Sequence, residues 1–233
     1  MSRPTLVAVA HGSKDPAAKA TITALAREVN RFAPFLKVRV AFIQHAEPSL
    51  GDQLSAAGEN AVIVPLLLST GYHLATDIAD AATAAGARVA GPLGPDGLLV
   101  TALAGRLAEA GVPDGTPVVL AAAGSSDPAA QRDAERQAEL LAERLEVPVT
   151  AAFLSAAQPR VDEAVAELAR SSGQEVAIAS YLLAPGHFQD QLAGAGARWV
   201  TAPLGGHPAI AGLVIDRYRT ASRSPVPELA VPA

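Results

Sequence analysis

The chain has 233 residues, half of them hydrophobic, a net charge of −5 and no cysteine. The acidic total argues against a nucleic-acid binder, while a local basic pocket for an anionic substrate can coexist with it, and the lack of cysteine excludes disulfides, thiolate metal sites and cysteine-ligated iron–sulfur clusters. No apolar run approaches the ~20 residues of a membrane span, and Met1-Ser2-Arg3-Pro4 runs into a strand without an apolar leader, so a cytoplasmic protein with no membrane partner is expected.

Along the chain, apolar runs rich in β-branched residues alternate with Ala/Leu/Glu/Arg stretches, the pattern of parallel sheets built from βαβ units. Leu6 to Ala10 reads as a strand buried on both faces. Pro16 to Phe32 reads as a helix, with Asp15 as its cap, Pro16 in its first position and an apolar stripe of Ile22, Leu25, Ala26 and Val29. A strand over 38–43, a short helix over 48–57 and a strand over 61–68 follow. A helix over 76–85, a short strand near Val89 and a helix over 97–110 complete the first half. Gly111 to Pro117 is rich in Gly and Pro and reads as a linker.

The second half repeats this order, with strands predicted over 118–122, 149–154, 176–182 and 199–200, and helices over 128–145, 159–170, 188–195 and 208–219. Leu6 to Pro16 recurs as Val118 to Pro128 with six of eleven positions identical. The expected fold is α/β: two tandem similar domains, residues 1–112 and 117–222, each a four-stranded parallel sheet flanked by helices in a flavodoxin-like three-layer αβα arrangement. Ser222 to Ala233 holds Pro225, Pro227 and Pro232 and reads as a loose tail from about residue 223. One duplicated chain replacing a dimer of shorter subunits points to a monomer, with a dimer as the alternative.

The duplication isolates the residues that carry chemistry. His11 ends the first strand, and its counterpart is Ala123. A residue needed only to build the turn would stand in both copies. Gln44, His45 and Glu47 follow the second strand, where the repeat has Ser155 and Ala156 opposite Gln44 and His45. His73 follows the third strand; only His187 lies near its equivalent position, one place out of register. Ligands of open α/β sheets bind at the carboxyl ends of the strands. With strand order 2-1-3 and strands ~4.8 Å apart, imidazoles from these ends surround one small centre. Neutral imidazoles beside a carboxylate suit a borderline divalent metal, and an imidazole exchanges protons near neutral pH.

Each residue also has an ordinary structural reading. His187 and His207, taken singly, read as surface or hydrogen-bonded loop histidines. His45 reads as a neighbour packed beside the ligand. Glu47 favours a helix N-terminus. Gly12-Ser13 is a turn or a backbone anion nest, and so is Gly124-Ser125, which survives without the histidine. Lys14 is either an anion anchor or a solvated lysine. Ser13 lacks the Gly-x-Ser-x-Gly elbow of a nucleophile. No dinucleotide fingerprint or P-loop is present, so no nucleotide is expected.

Three segments in order carry a resemblance: Ala10-His11-Gly12-Ser13-Lys14-Asp15-Pro16, Val40 to Leu50 with Gln44-His45-Ala46-Glu47-Pro48 at its centre, and Pro65 to His73. The chain resembles the sirohydrochlorin chelatases, the class II chelatases of siroheme and cobalamin synthesis, in their long, internally duplicated form. The resemblance implies a chelatase-like fold and insertion of Fe(II) or Co(II), as substrate, into a tetrapyrrole, with release of two pyrrole protons and no tightly bound cofactor. It implies His11 and His73 as metal-binding and proton-accepting residues. Gly12, Ser13, Lys14, Gln44, His45, Glu47, Gly124 and Ser125 are the candidates for holding the substrate. Where the family usually has a glutamate, this chain has Gln44. A non-catalytic tetrapyrrole or metal carrier, and a hydrolase using histidine-bound zinc, are the competing readings.

Overall fold

The structure, a computed structural model, describes residues 3–58, 60–69 and 72–223, without the side chains of residues 72–75. The N-terminal half runs β1 (Thr5–Ala10), α1 (Pro16–Phe32), β2 (Val38–Phe42), α2 (Leu50–Ala57), β3 (Ala61–Pro65), α3 (Tyr72–Ala85), β4 (Arg88–Val89) and α4 (Gly97–Glu109). The C-terminal half runs β5 (Val118–Ala122), α5 (Pro128–Leu145), β6 (Val149–Phe153), α6 (Val161–Ser172), β7 (Ala177–Tyr181), α7 (His187–Leu192), β8 (Trp199–Val200) and α8 (Pro208–Arg223). Each half forms a four-stranded parallel sheet, in the orders β2-β1-β3-β4 and β6-β5-β7-β8. The central strands are apolar on both faces, as strands covered by helices on either side must be.

The boundaries differ from the sequence reading in informative places. α2 and α6 begin two residues after the prolines that were expected to open them. In both repeats the proline carbonyl is engaged by the preceding strand: Phe42 N–H donates to Pro48 O and Phe153 N–H to Pro159 O. Ser49 and Arg160 then take the cap positions. α3 starts a turn earlier than the pattern suggests, at Tyr72. α7 stops at Leu192 rather than 195, where Gly194 N–H closes a tight turn onto Gln191 O. The expected tail loses its first residues to α8, which runs through Ser222 and Arg223; Ser222 Oγ donates to Tyr218 O at 2.7 Å. Residues 224–233 lie outside the described residues.

Alternation along β1 separates two cores. Leu6, Ala8 and Ala10 face one cluster with α1, α4 and α8, while Val7 and Val9 face another with Leu50 and Leu54 of α2 and Ile78 of α3. β5 does the same, its Val119 and Ala121 packing with α6 and Leu192 of α7. The inner cluster belongs to both halves. α4 closes the first half but packs on α5 and β7; α8 closes the second half but packs on α1 and β3. The two sheets therefore sandwich a shared layer of α1, α8, α4 and α5, with α2 and α3 outside one sheet and α6 and α7 outside the other.

Polar latches bind the halves where apolar packing leaves carbonyls open. Tyr218 Oη donates to Pro4 O, and Tyr181 Oη to Leu68 O, each at 2.7 Å. Arg217 donates to Pro92 O and Leu93 O and pairs with Asp96 at 3.1 Å. Fully buried Gln137 receives Asp96 N–H and donates to Asp96 O. A buried amide so satisfied avoids the ~1–3 kcal/mol cost of an unpaired polar group.

Candidate functional site

The strand ends of the first half are stitched together through one glycine. Beyond β1, Ile43 N–H donates to Ala10 O and Gln44 N–H to His11 O. Gly12 then turns with φ of +100°, and a Cβ there would lie 1.7 Å from Gln44 O. Only glycine fits. The repeat is built identically: Gly124 has φ of +94°, with Ser155 O 1.8 Å from its would-be Cβ.

The next residues are also shared. Asp15 N–H donates to Ser13 Oγ and Ala17 N–H to Asp15 Oδ1; Asp127 N–H donates to Ser125 Oγ and Ala129 N–H to Asp127 Oδ1. The Gly-Ser-x-Asp-Pro segment is thus a turn with a helix cap. Ser13 is its acceptor, and an anion there would compete for an N–H already in use.

What the repeat does not share is the imidazole. His11 projects exposed from this turn. His45, in the left-handed region with φ of 58°, brings its ring edge-on to His11, with centroids 6.1 Å apart. Ala156 adopts the same backbone conformation, so the bend belongs to the scaffold and the ring to the first half alone. Partial burial, and secondarily the charge of His45, hold His11 below the ordinary imidazole pKa. Its neutral form, with a free lone pair, is thereby favoured.

Two cavities meet at His11. One, of about 320 Å³, lies against α1 and the loop before α7, with Ile22, Phe42 and Leu66 on its floor and Lys19 and His187 among its polar lining. The other, of about 340 Å³, lies on the α5 side and includes Gly124, Ser125 and Tyr181. His11, Leu66, Leu182 and Leu183 line both. They form one cleft between the facing ends of the two sheets.

The candidates divide accordingly. His11 and His45 come together; Gly12, Ser13, Gly124 and Ser125 line the cleft. Gln44 is pinned through its backbone, while its exposed side chain, like exposed Lys14 and Glu47, is outside the lining of both cavities. His73 falls in the first turn of α3, and its side chain lies outside the described residues. Among the described residues no three His, Asp or Glu side chains converge as a metal cage.

The two loop histidines part ways. His207 is structural: its Nδ1 accepts Ala209 N–H at the start of α8 and its Nε2 sits against Gly105. His187 lines the cavity that His11 lines. Sequence reasoning passed over Lys19 and Phe188, which line it too. A usable signal existed for Lys19, because its repeat counterpart is Gln131: the same asymmetry that marks His11.

Known proteins similar to this chain show its family. The sirohydrochlorin ferrochelatase of Bacillus subtilis is 28% identical over 93% of this chain and 91% of its own length. A sirohydrochlorin cobaltochelatase of Methanosarcina barkeri is 32% identical over 31% of this chain and 59% of its own length. The solved structure of SirB from Bacillus subtilis with Fe3+ superposes with a TM-score of 0.82 at 26% identity, covering 95% of this chain and 96% of that one. CbiX, described as the terminal enzyme for biosynthesis of siroheme in denitrifying bacteria, superposes with a TM-score of 0.70 at 24% identity, over 94% and 99% of the two chains, and shares the fold. No helix among the described residues is long and apolar enough to cross a membrane. The CbiX family matches twice, over residues 5–110 and 117–221, one match for each sheet, and the chain belongs to that family.

Proposed function

We propose that the chain is a sirohydrochlorin chelatase, a metal-inserting lyase that takes Fe(II) or Co(II) and the tetrapyrrole as its substrates, with the active site carried by residues 1–112 and the second half a degenerate repeat. The observation that carries the reading is the His11–His45 pair at the mouth of a cleft shared by both halves, in a chain of the CbiX family. Full-length similarity to a ferrochelatase and partial similarity to cobaltochelatases support either metal.

Insertion exchanges two pyrrole protons for one divalent ion, so the site needs a metal-holding lone pair and a proton acceptor. A neutral imidazole offers both in turn. His11 is held neutral by partial burial and by His45. His73, by resemblance, serves beside it from the start of α3. With Gln44 where the family has glutamate, the proton-accepting work falls to imidazoles, since an amide has no basic site. The macrocycle lies across the cleft: each cavity is near the small end of the ~300–1,000 Å³ range of ligand sites, so the ring is held over both mouths rather than engulfed. Once the ring covers His11, the apolar floor excludes water and strengthens the metal–nitrogen interactions.

An anaerobic spectrophotometric assay with sirohydrochlorin and Fe(II), Co(II) or Ni(II) tests the reading. The wild-type protein raises the insertion rate above the spontaneous one, and His11→Ala lowers the enzymatic rate by about 10²–10⁴. An unchanged rate in His11→Ala ends the assignment. Gln44 favours one further reading, a carrier that binds macrocycle or metal without raising the insertion rate.

A further inference from the structure

Resting on the chelatase reading, we propose that the cavity between α1 and the β7–α7 loop is the carboxylate-binding side of the cleft, with Lys19 and His187 recognising an acidic side chain of the macrocycle.

The two cavities are images of each other in the repeat, with Gly12 opposite Gly124 and Phe42 opposite Phe153. The flanks formed by α1 and α5 differ in chemistry. Lys19, in the first turn of α1, lines the first cavity, and it has no ion-pair partner among the described residues. Its counterpart Gln131 is folded away, its amide donating to Ser125 O at 2.9 Å, and does not line the second cavity. His187 opens α7 on the same rim as Lys19.

Sirohydrochlorin carries acetate and propionate groups around its ring, so it presents acid on every side and the protein must choose which groups to grip. The first cavity has the means. Its floor of Ile22, Phe42 and Leu66 lowers the local dielectric, which strengthens attraction between an ammonium and a carboxylate. Phe188, 36% exposed and 5.9 Å from the His187 ring, gives the rim an aromatic face for the conjugated macrocycle. The Asp15 carboxylate beside Gly186 is occupied in capping α1 and lies outside the cavity lining.

The test is an anaerobic equilibrium titration of sirohydrochlorin without metal, against wild type, Lys19→Glu, Lys19→Arg, His187→Gln and the image-position control Gln131→Glu. Lys19→Glu weakens binding about tenfold or more, the loss of a charge-assisted contact, while Lys19→Arg and Gln131→Glu stay within about twofold. His187→Gln weakens binding by about threefold to tenfold. The Lys19→Glu penalty disappears when the carboxylates of the macrocycle are esterified. Lys19 is exposed, so the thermal midpoint of each Lys19 variant stays that of wild type. Wild-type affinity in Lys19→Glu, or an equal loss in Gln131→Glu, overturns the subsite. Wild-type protein that binds sirohydrochlorin without accelerating metal insertion removes the chelatase reading and leaves the subsite standing; wild-type protein that fails to bind it removes both.

Discussion

His11 differs from its repeat counterpart by an imidazole and by little else, because the turn beneath it is the same in both halves. Its acid–base behaviour follows from its neighbours. Burial and the charge of His45 both favour the neutral ring. On acidification the unfolded chain therefore takes up this proton first, near the ordinary imidazole value of ~6.5. Stability from this group is intact above that pH, declines as the pH falls below it, and levels off below the folded pKa. An NMR titration of the imidazole resonances is expected to place His11 below ~6.5. In His45→Asn, which tolerates the left-handed backbone, removing the neighbouring charge moves the His11 titration upward, though burial keeps it below the ordinary value. The acid limb of the insertion rate is expected to shift the same way. A His11 titration unmoved by His45→Asn would show that the 6.1 Å ring pair is electrostatically silent.

At the scale of elements, the β1–α1 turn sets the site. A Cβ at residue 12 collides with Gln44 O and faces an unfavourable φ. Gly12→Ala is expected to cost at least ~2 kcal/mol, a fall of roughly 4–8 °C in Tm. Gly124→Ala meets the same obstacle at Ser155 O and carries a similar penalty. The pair separates folding from the proposed role of His11: assayed well below both melting points, Gly12→Ala is expected to lose metal insertion as His11 is displaced, whereas Gly124→Ala is expected to keep most of it. Calorimetry and the insertion assay on the two variants check both halves of this statement.

Across the whole molecule, the last helix of each half covers the other half's sheet, so neither half holds a complete core. Leu99 and Leu103 of α4 are fully buried in the shared cluster. Leu103→Ala is expected to cost ~2–5 kcal/mol and to lower one cooperative transition rather than melt one half alone. Residues 1–116 expressed separately expose the faces of α1 and α4 that α8 and α5 cover. Such a fragment is expected to pair with a second copy or aggregate, and a folded monomer in light scattering would contradict the shared core.

Much of this was legible in the residues. Strand and helix periodicity gave all the elements, and α1, β5, α5 and β8 fall where the pattern puts them, since capping Asp-Pro pairs and short apolar runs are local signals. Comparing the repeats singled out His11. Strand order 2-1-3 put His45 at the strand end next to His11, but did not show the edge-on meeting of the two rings, which depends on a backbone stitched between two strands distant in the chain and on a left-handed bend at residue 45. The sequence could not separate His207, a helix cap, from His187, a cleft residue, because two loop histidines look alike until their neighbours are fixed. Nor could it divide the cores: apolar stripes on α4 and α8 say that a face is buried, not against which sheet, and only the packing of both halves at once decides that each helix crosses over. Local chemistry is written in consecutive residues; partnership between distant ones is settled by which surfaces can be removed from water together.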